Sequence, residues 1–139
     1  MSKVAIVYWS GTGNTETMAN AVLAGAIGAG ADAAVFRAGD FDPSTVGEYD
    51  AIAFGCPSMG SEQLEESEFE PMFSSCDISG KKIGLFGSYG WGDGEWMRTW
   101  HDDCAGKGAT FAADDVICNE APDGDAEASC NALGAALAG

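Results

Sequence analysis

Four side chains able to hold an anion without carrying positive charge, Ser10, Thr12, Asn14 and Thr15, fall within six residues, with Gly11 and Gly13 between them. Hydroxyls and an amide can donate hydrogen bonds, and glycines let backbone N–H groups turn the same way, so the stretch is a candidate phosphate cradle. It suits a single monoester better than a polyphosphate with magnesium. No Lys or Arg lies between Lys3 and Arg37, and neither GxxxxGK[ST] nor GxGxxG can be fitted to residues 10–15. Taken alone, the same residues also make an ordinary Ser/Thr/Gly turn with a helix N-cap.

The flanking elements must position this cradle. Val4-Ala5-Ile6-Val7-Tyr8 is an unbroken apolar run rich in β-branched residues, which predicts a strand buried on both faces. After the turn, Ala19, Val22, Leu23, Ala26 and Ile27 fall at i, i+3, i+4, i+7 and i+8, on one face of a helix that begins near Asn14 or Thr15. A strand, a tight turn and a helix N-terminus in that order bring free N–H groups and the positive end of the helix dipole to one point. Further strands are predicted at Ala33–Phe36 on a sheet edge, at Ala51–Cys56 and at Lys82–Gly87, with a fifth in pieces through Phe111 and Val116–Cys118. Between them come a short helix near Pro71–Phe73, a helix with Trp96, Met97, Trp100 and Cys104 facing inward, and a closing helix marked by Cys130, Leu133 and Leu137. This alternation implies a parallel sheet with helices on both faces, whose loops after strands one, three and four open together at the carboxyl edge.

Two of those loops are unusual. Pro57-Ser58-Met59-Gly60-Ser61 presents a methionine beside a glycine, and Ser88-Tyr89-Gly90-Trp91-Gly92-Asp93-Gly94 sets three glycines around a tryptophan. With the cradle they would fit a flat, polar-edged ring carrying a phosphate tail, with Met59 and Trp91 against its faces. Composition narrows the partners. The 139 residues read as one domain over 1–139, and 22 acidic against 6 basic residues give a formal net charge of −16. Such a surface repels nucleic acid and anionic membrane and favours basic patches on other proteins. No apolar run approaches the ~20 residues that span a bilayer, and the first strand follows Met-Ser-Lys directly, so a cytoplasmic location is expected. Five cysteines without CxxC spacing read as reduced core thiols, with no metal site.

In four motifs the sequence resembles the short-chain flavodoxins of the clostridial type. These are Tyr8-Trp9-Ser10-Gly11-Thr12-Gly13-Asn14-Thr15-Glu16, Gly55-Cys56-Pro57 through Glu65, Glu68-Phe69-Glu70-Pro71, and Phe86 through Gly94. The resemblance implies a three-layer flavodoxin-like fold, α/β, with a five-stranded parallel sheet in the order 2-1-3-4-5. It implies a low-potential electron carrier, not an enzyme. One noncovalently bound FMN would shuttle between quinone, semiquinone and hydroquinone, serving redox proteins such as reductases, with the carrier a monomer. By motif, Ser10, Gly11, Thr12, Gly13, Asn14 and Thr15 would bind the phosphate, with Ser58 or Ser88 in support. Met59 and Trp91 would sandwich the ring, and Glu62 would accept from its N3–H. The amides of Gly90 and Gly92 would meet the pyrimidine edge, with Pro57 and Tyr89 also in the cofactor site and Asn119 on the ribityl side. Gly60 would let the peptide to Ser61 flip toward the flavin N5. Glu62, Glu65, Glu66, Asp93 and Glu95 would lower the second potential by placing carboxylates near the reduced ring. The chain departs from some relatives at Pro57, where they carry serine, and at Ser61, where they carry aspartate.

Two rivals share the strand order. An FMN-dependent quinone or flavin reductase would need a place for a nicotinamide, for which no added domain is present, and Trp91 would block one flavin face. A phospho-accepting receiver domain would need an acidic pair after strand one and an aspartate after strand three, where Trp9-Ser10 and Cys56-Pro57 stand. His101, the only histidine, lies beside Asp102 and Asp103 on a helix and reads as a solvated residue.

Overall fold

In β1 (Lys3–Tyr8) every residue from Val4 to Tyr8 is buried, as a run of this composition requires of a central strand. A computed structural model describes residues 2–11, 13–59, 64–90 and 94–139. β1 pairs in parallel with β2 (Asp32–Arg37) on one side and β3 (Ala51–Gly55) on the other, and β3 pairs with β4 (Lys82–Tyr89). The sheet order is β2-β1-β3-β4-β5, as expected. The fifth position is shared by two segments: β5 (Thr110–Phe111) lies beside Lys82 and Ile83 at the start of β4, and β6 (Val116–Asn119) beside Phe86–Tyr89 at its end.

Side chains of the central strands alternate between two cores. Ala5, Val7, Ile52, Phe54, Ile83 and Leu85 pack with Phe69, Phe73 and Trp100 from α2 (Phe69–Ser74) and α3 (Glu95–Gly106). There Trp100 meets Phe69 and Phe73 edge-on, with ring centroids 5.4 and 5.6 Å apart. On the opposite face Val4, Ile6, Ala51, Ala53 and Phe86 pack with α1 (Asn14–Gly28) and α4 (Gly124–Ala138). The inward residues foreseen on α3 and α4 are all buried.

The face of α1 differs from the expected one. Thr15, Met18, Ala19, Val22 and Ala26 are buried, whereas Leu23 is half-covered and Ile27 is 54% exposed. The reason is α4, which lies so close that a Cβ on Gly25 would stand 2.0 Å from the carbonyl oxygen of Asn131. A Cβ on Gly134 would likewise stand 2.0 Å from that of Val22. Backbone touches backbone at this crossing, and the small-residue side of α1 is the side that is covered.

Gly134→Ala should therefore force the two helices apart and cost about 1–3 kcal/mol, as overpacking does. Gly28→Ala, where an added Cβ meets nothing within 4 Å, should be neutral or slightly stabilising. Urea unfolding of the two variants checks the contrast, and equal stabilities would contradict the packing described.

Candidate functional site

The turn after β1 is built to leave amides open. Trp9 N–H donates to the Gly55 carbonyl at 3.0 Å, carrying the β1–β3 ladder one residue past the strand. Ser10 Oγ then accepts from the Gly13 amide at 3.0 Å and closes the turn. Gly13 is the N-cap of α1 with φ +97°, a conformation glycine reaches without a Cβ clash, and it offers no side-chain acceptor to the first turn. The helix start thus keeps its donors and its positive dipole end for a ligand. Thr15, almost fully buried, has its hydroxyl 3.3 Å from that of Ser88, also buried, so the loops after β1 and β4 are tied beneath the cradle.

Above this tie lies a cleft of about 540 Å³, within the usual size of ligand pockets. Trp9, Gly11 and Asn14 from the first loop, Pro57, Ser58 and Met59 from the second, Ser88, Tyr89 and Gly90 from the third, and Glu120 line it. The sequence motifs thus converge on one place. Ser58 N–H donates to the Ser88 carbonyl at 3.0 Å and holds the second loop against the third. Asn119 stands beside the cleft, its Nδ2 3.4 Å from the Tyr89 carbonyl, and it is the next residue, Glu120, that enters the lining. Thr12, Gly60, Ser61, Glu62, Trp91 and Gly92 lie outside the described residues, as does Asp93.

Two lining residues escaped the sequence reading. Trp9 is a wall of the cleft, its indole N–H 3.3 Å from Glu68 Oε1; a side chain on Gly11 would press on its ring at 3.1 Å. An aromatic directly after a central strand was the available signal. Glu120 has φ +58° and donates its amide to the Tyr89 carbonyl at 2.7 Å. Nothing in an acidic residue after a strand announces that conformation.

Glu65 is buried and turned away from bulk water. Burial raises its carboxyl, but the Ser67 hydroxyl and the amides of Phe69, Glu68 and Ser67 all donate to it. They outweigh burial and hold it down to about 2. Glu65 is therefore a structural clamp at the start of α2. His101 is not simply solvated: its ring stacks on Phe111 at 3.8 Å, and its Nδ1 lies 2.8 Å from Asp115 Oδ2. Burial raises the Asp115 carboxyl, and His101 opposes the shift. These residues are outside the cleft lining and fix the break between β5 and β6. The five cysteines are free thiols, and among the described residues no cluster of His, Cys, Asp or Glu could hold a metal ion.

The residues present fit a phosphorylated flat ring. The start of α1 offers uncapped amides and hydroxyls, Trp9, Met59 and Tyr89 offer apolar surface, and none of the described lining residues is Lys or Arg. An open parallel sheet with such a cleft at its carboxyl edge defines a mononucleotide-binding α/β protein. The family model described as Flavodoxin matches residues 6–133. The flavodoxin of Megasphaera elsdenii is 50% identical over 137 residues, covering 97% of this chain and 98% of that one. That of Clostridium beijerinckii is 45% identical over 135 residues, covering 96% and 97%. The solution structure of the two-electron reduced Megasphaera elsdenii flavodoxin superposes with a TM-score of 0.88 over 97% of this chain and 98% of that one. The chain belongs to the flavodoxin family. It is an electron-transfer flavoprotein whose cofactor is FMN. The reductase alternative is distant: a NAD(P)H dehydrogenase (quinone) of Chromohalobacter salexigens is 32% identical over 110 residues, 63% of this chain and 55% of that protein.

The state of Glu65 has a measurable consequence. Its folded pKa lies below its ordinary 4.5, so its contribution is fully present above about pH 4.5 and is lost as pH falls toward 2. Glu65→Gln should lower stability by on the order of 1–3 kcal/mol at pH 7. By pH 2.5 most of the difference from the parent should be gone. Urea unfolding at both pH values measures it, and a pH-independent difference would contradict the clamp.

Proposed function

We propose that FMN is held in the cleft above the Thr15–Ser88 tie, with its phosphate at the start of α1 and its ring toward Met59 and Tyr89. The observation that carries this reading is the capless N-terminus of α1, which opens on a cleft without a basic residue. Ser10, Asn14, Thr15 and the amide of Gly11 hold the phosphate by neutral donors and the helix dipole, while Gly13, its amide on Ser10 Oγ, shapes the turn around it. Ser58 and Ser88 stand next to it. The Gly90 amide faces the pyrimidine edge, and Asn119, its Nδ2 on the Tyr89 carbonyl, stands on the ribityl side. Thr12, Gly60, Ser61, Glu62, Trp91 and Gly92 join the assignment on the motif alone, with Gly60 as the hinge of the peptide that answers the redox state and Pro57 setting the entry to it.

FMN supplies two one-electron steps, and the chain decides how far apart they lie. Carboxylates around the cleft, Glu120 in its lining and Glu68 on Trp9, oppose added negative charge in a partly dry site and keep the second step at low potential. The partners are redox proteins with basic docking patches, drawn by a net charge of −16. The chain works as a single domain and as a cytoplasmic monomer; no described helix is long and apolar enough to cross a membrane.

Apoprotein titrated with FMN and with riboflavin should prefer FMN by at least about 100-fold, the equivalent of roughly 2.7 kcal/mol for the phosphate contacts. Equal affinities would overturn the phosphate assignment. Stopped-flow electron transfer to a basic protein acceptor should slow steeply as salt rises. A salt-independent rate would remove the case for basic partners.

A further inference from the structure

The chain leaves the sheet at Cys56, Pro57 to Met59 then line the cleft, and Glu65 lies against the Cys56 side chain. The amide of Glu65 donates to Cys56 Sγ at 3.3 Å, in a site from which water is excluded. The backbone of Cys56 is fixed as firmly. Its amide donates to the Phe86 carbonyl at 3.1 Å, and its carbonyl accepts the indole N–H of Trp96 at 3.2 Å. β4 presses on that carbonyl, since a Cβ on Gly87 would stand 2.2 Å from it. The residues that follow, Pro57, Ser58 and Met59, form one wall of the cleft, and Ser58 is bonded to Ser88 across it. The Glu65 carboxylate grips the amides of Ser67, Glu68 and Phe69. Cys56 therefore joins β3, α3, the cleft wall and the start of α2.

We propose that Cys56 is a positioning residue for the flavin, its thiol sulfur accepting from the Glu65 amide and so anchoring the end of β3 from which Pro57, Ser58 and Met59 extend into the cleft wall. This rests on the reading that FMN occupies that cleft. The thiol acts as an acceptor and not as a nucleophile: burial pushes it up to about 12 and the side chain is fully enclosed. A thiol sulfur is a weak acceptor, so the tie acts together with the Ser58–Ser88 bond in placing the wall. Serine would supply a better acceptor on a shorter bond, at a longer distance from the amide. Alanine would leave a buried N–H without a partner.

Full-length Cys56→Ala, Cys56→Ser and, as a control, Cys130→Ala would be compared with the parent. Cys130 is equally buried but lies on α4 in the opposite core. Three quantities are read: amide exchange of Glu65 in the apoprotein, FMN affinity, and the gap between the two one-electron potentials. Cys56→Ala should speed Glu65 exchange about tenfold beyond any change in global unfolding, weaken FMN about tenfold and alter the gap. Cys56→Ser should fall between, with FMN weakened about threefold. Cys130→Ala should lower the melting temperature while leaving all three quantities at parental values. The proposal is overturned if Cys56→Ala behaves as Cys130→Ala does. If Cys56→Ala does not fold, parental values throughout in Cys56→Ser overturn it equally. Parent apoprotein that takes up no FMN would sink the reading of the cleft instead, and Glu65 exchange in the apoprotein would still decide whether the tie exists.

Discussion

Neither face of the central strands meets water. Val4 through Val7 and Ala51 through Phe54 are all fully buried, so every backbone donor and acceptor there must be satisfied by a neighbouring strand. Parallel pairing does this only if each strand is followed by a crossover that returns the chain to the same starting edge. The turns that begin those crossovers consequently gather at the other edge. The cleft exists because loops from strands that are neighbours in the sheet have to emerge together there, and the Thr15–Ser88 hydroxyl contact is the point at which two of them meet.

Much of this was legible in the residues. Apolar runs located β1, β3 and β4, and the glycines between the hydroxyls of the first loop located the helix start, because both signals act over a few neighbouring positions. The covered side of α1 was not legible. Periodicity placed Leu23 and Ile27 with Ala19 and Val22, but which arc of a helix is covered depends on what crosses it, and Gly25 and Gly134 mattered only once Asn131 and Val22 were opposite them. The partners of His101 were hidden for the same reason: its sequence neighbours are aspartates on its own helix, and its actual partners are Phe111 and Asp115 on another segment.

Acidity, too, divides by what each carboxylate touches. A net charge of −16 describes the field felt by a partner at a distance, and self-repulsion of that size works against the folded state. Glu65 does the reverse, since four donors converge on it and its charge helps hold the fold. Glu68 serves a third purpose, fixing the ring of Trp9 at the cleft. Counting acids in a sequence sums these as if they were one effect.

The crossing of α1 and α4 bears on how the protein reaches its native form. Gly25 and Asn131, in contact across that crossing, are separated by most of the chain, and contacts of such separation are made late and slowly because a long loop must close first. During synthesis β1 and α1 emerge early, yet the face of α1 that rests on α4 stays bare until the final segment has been made. A chain stopped short of α4 would be left with its first helix formed but undocked.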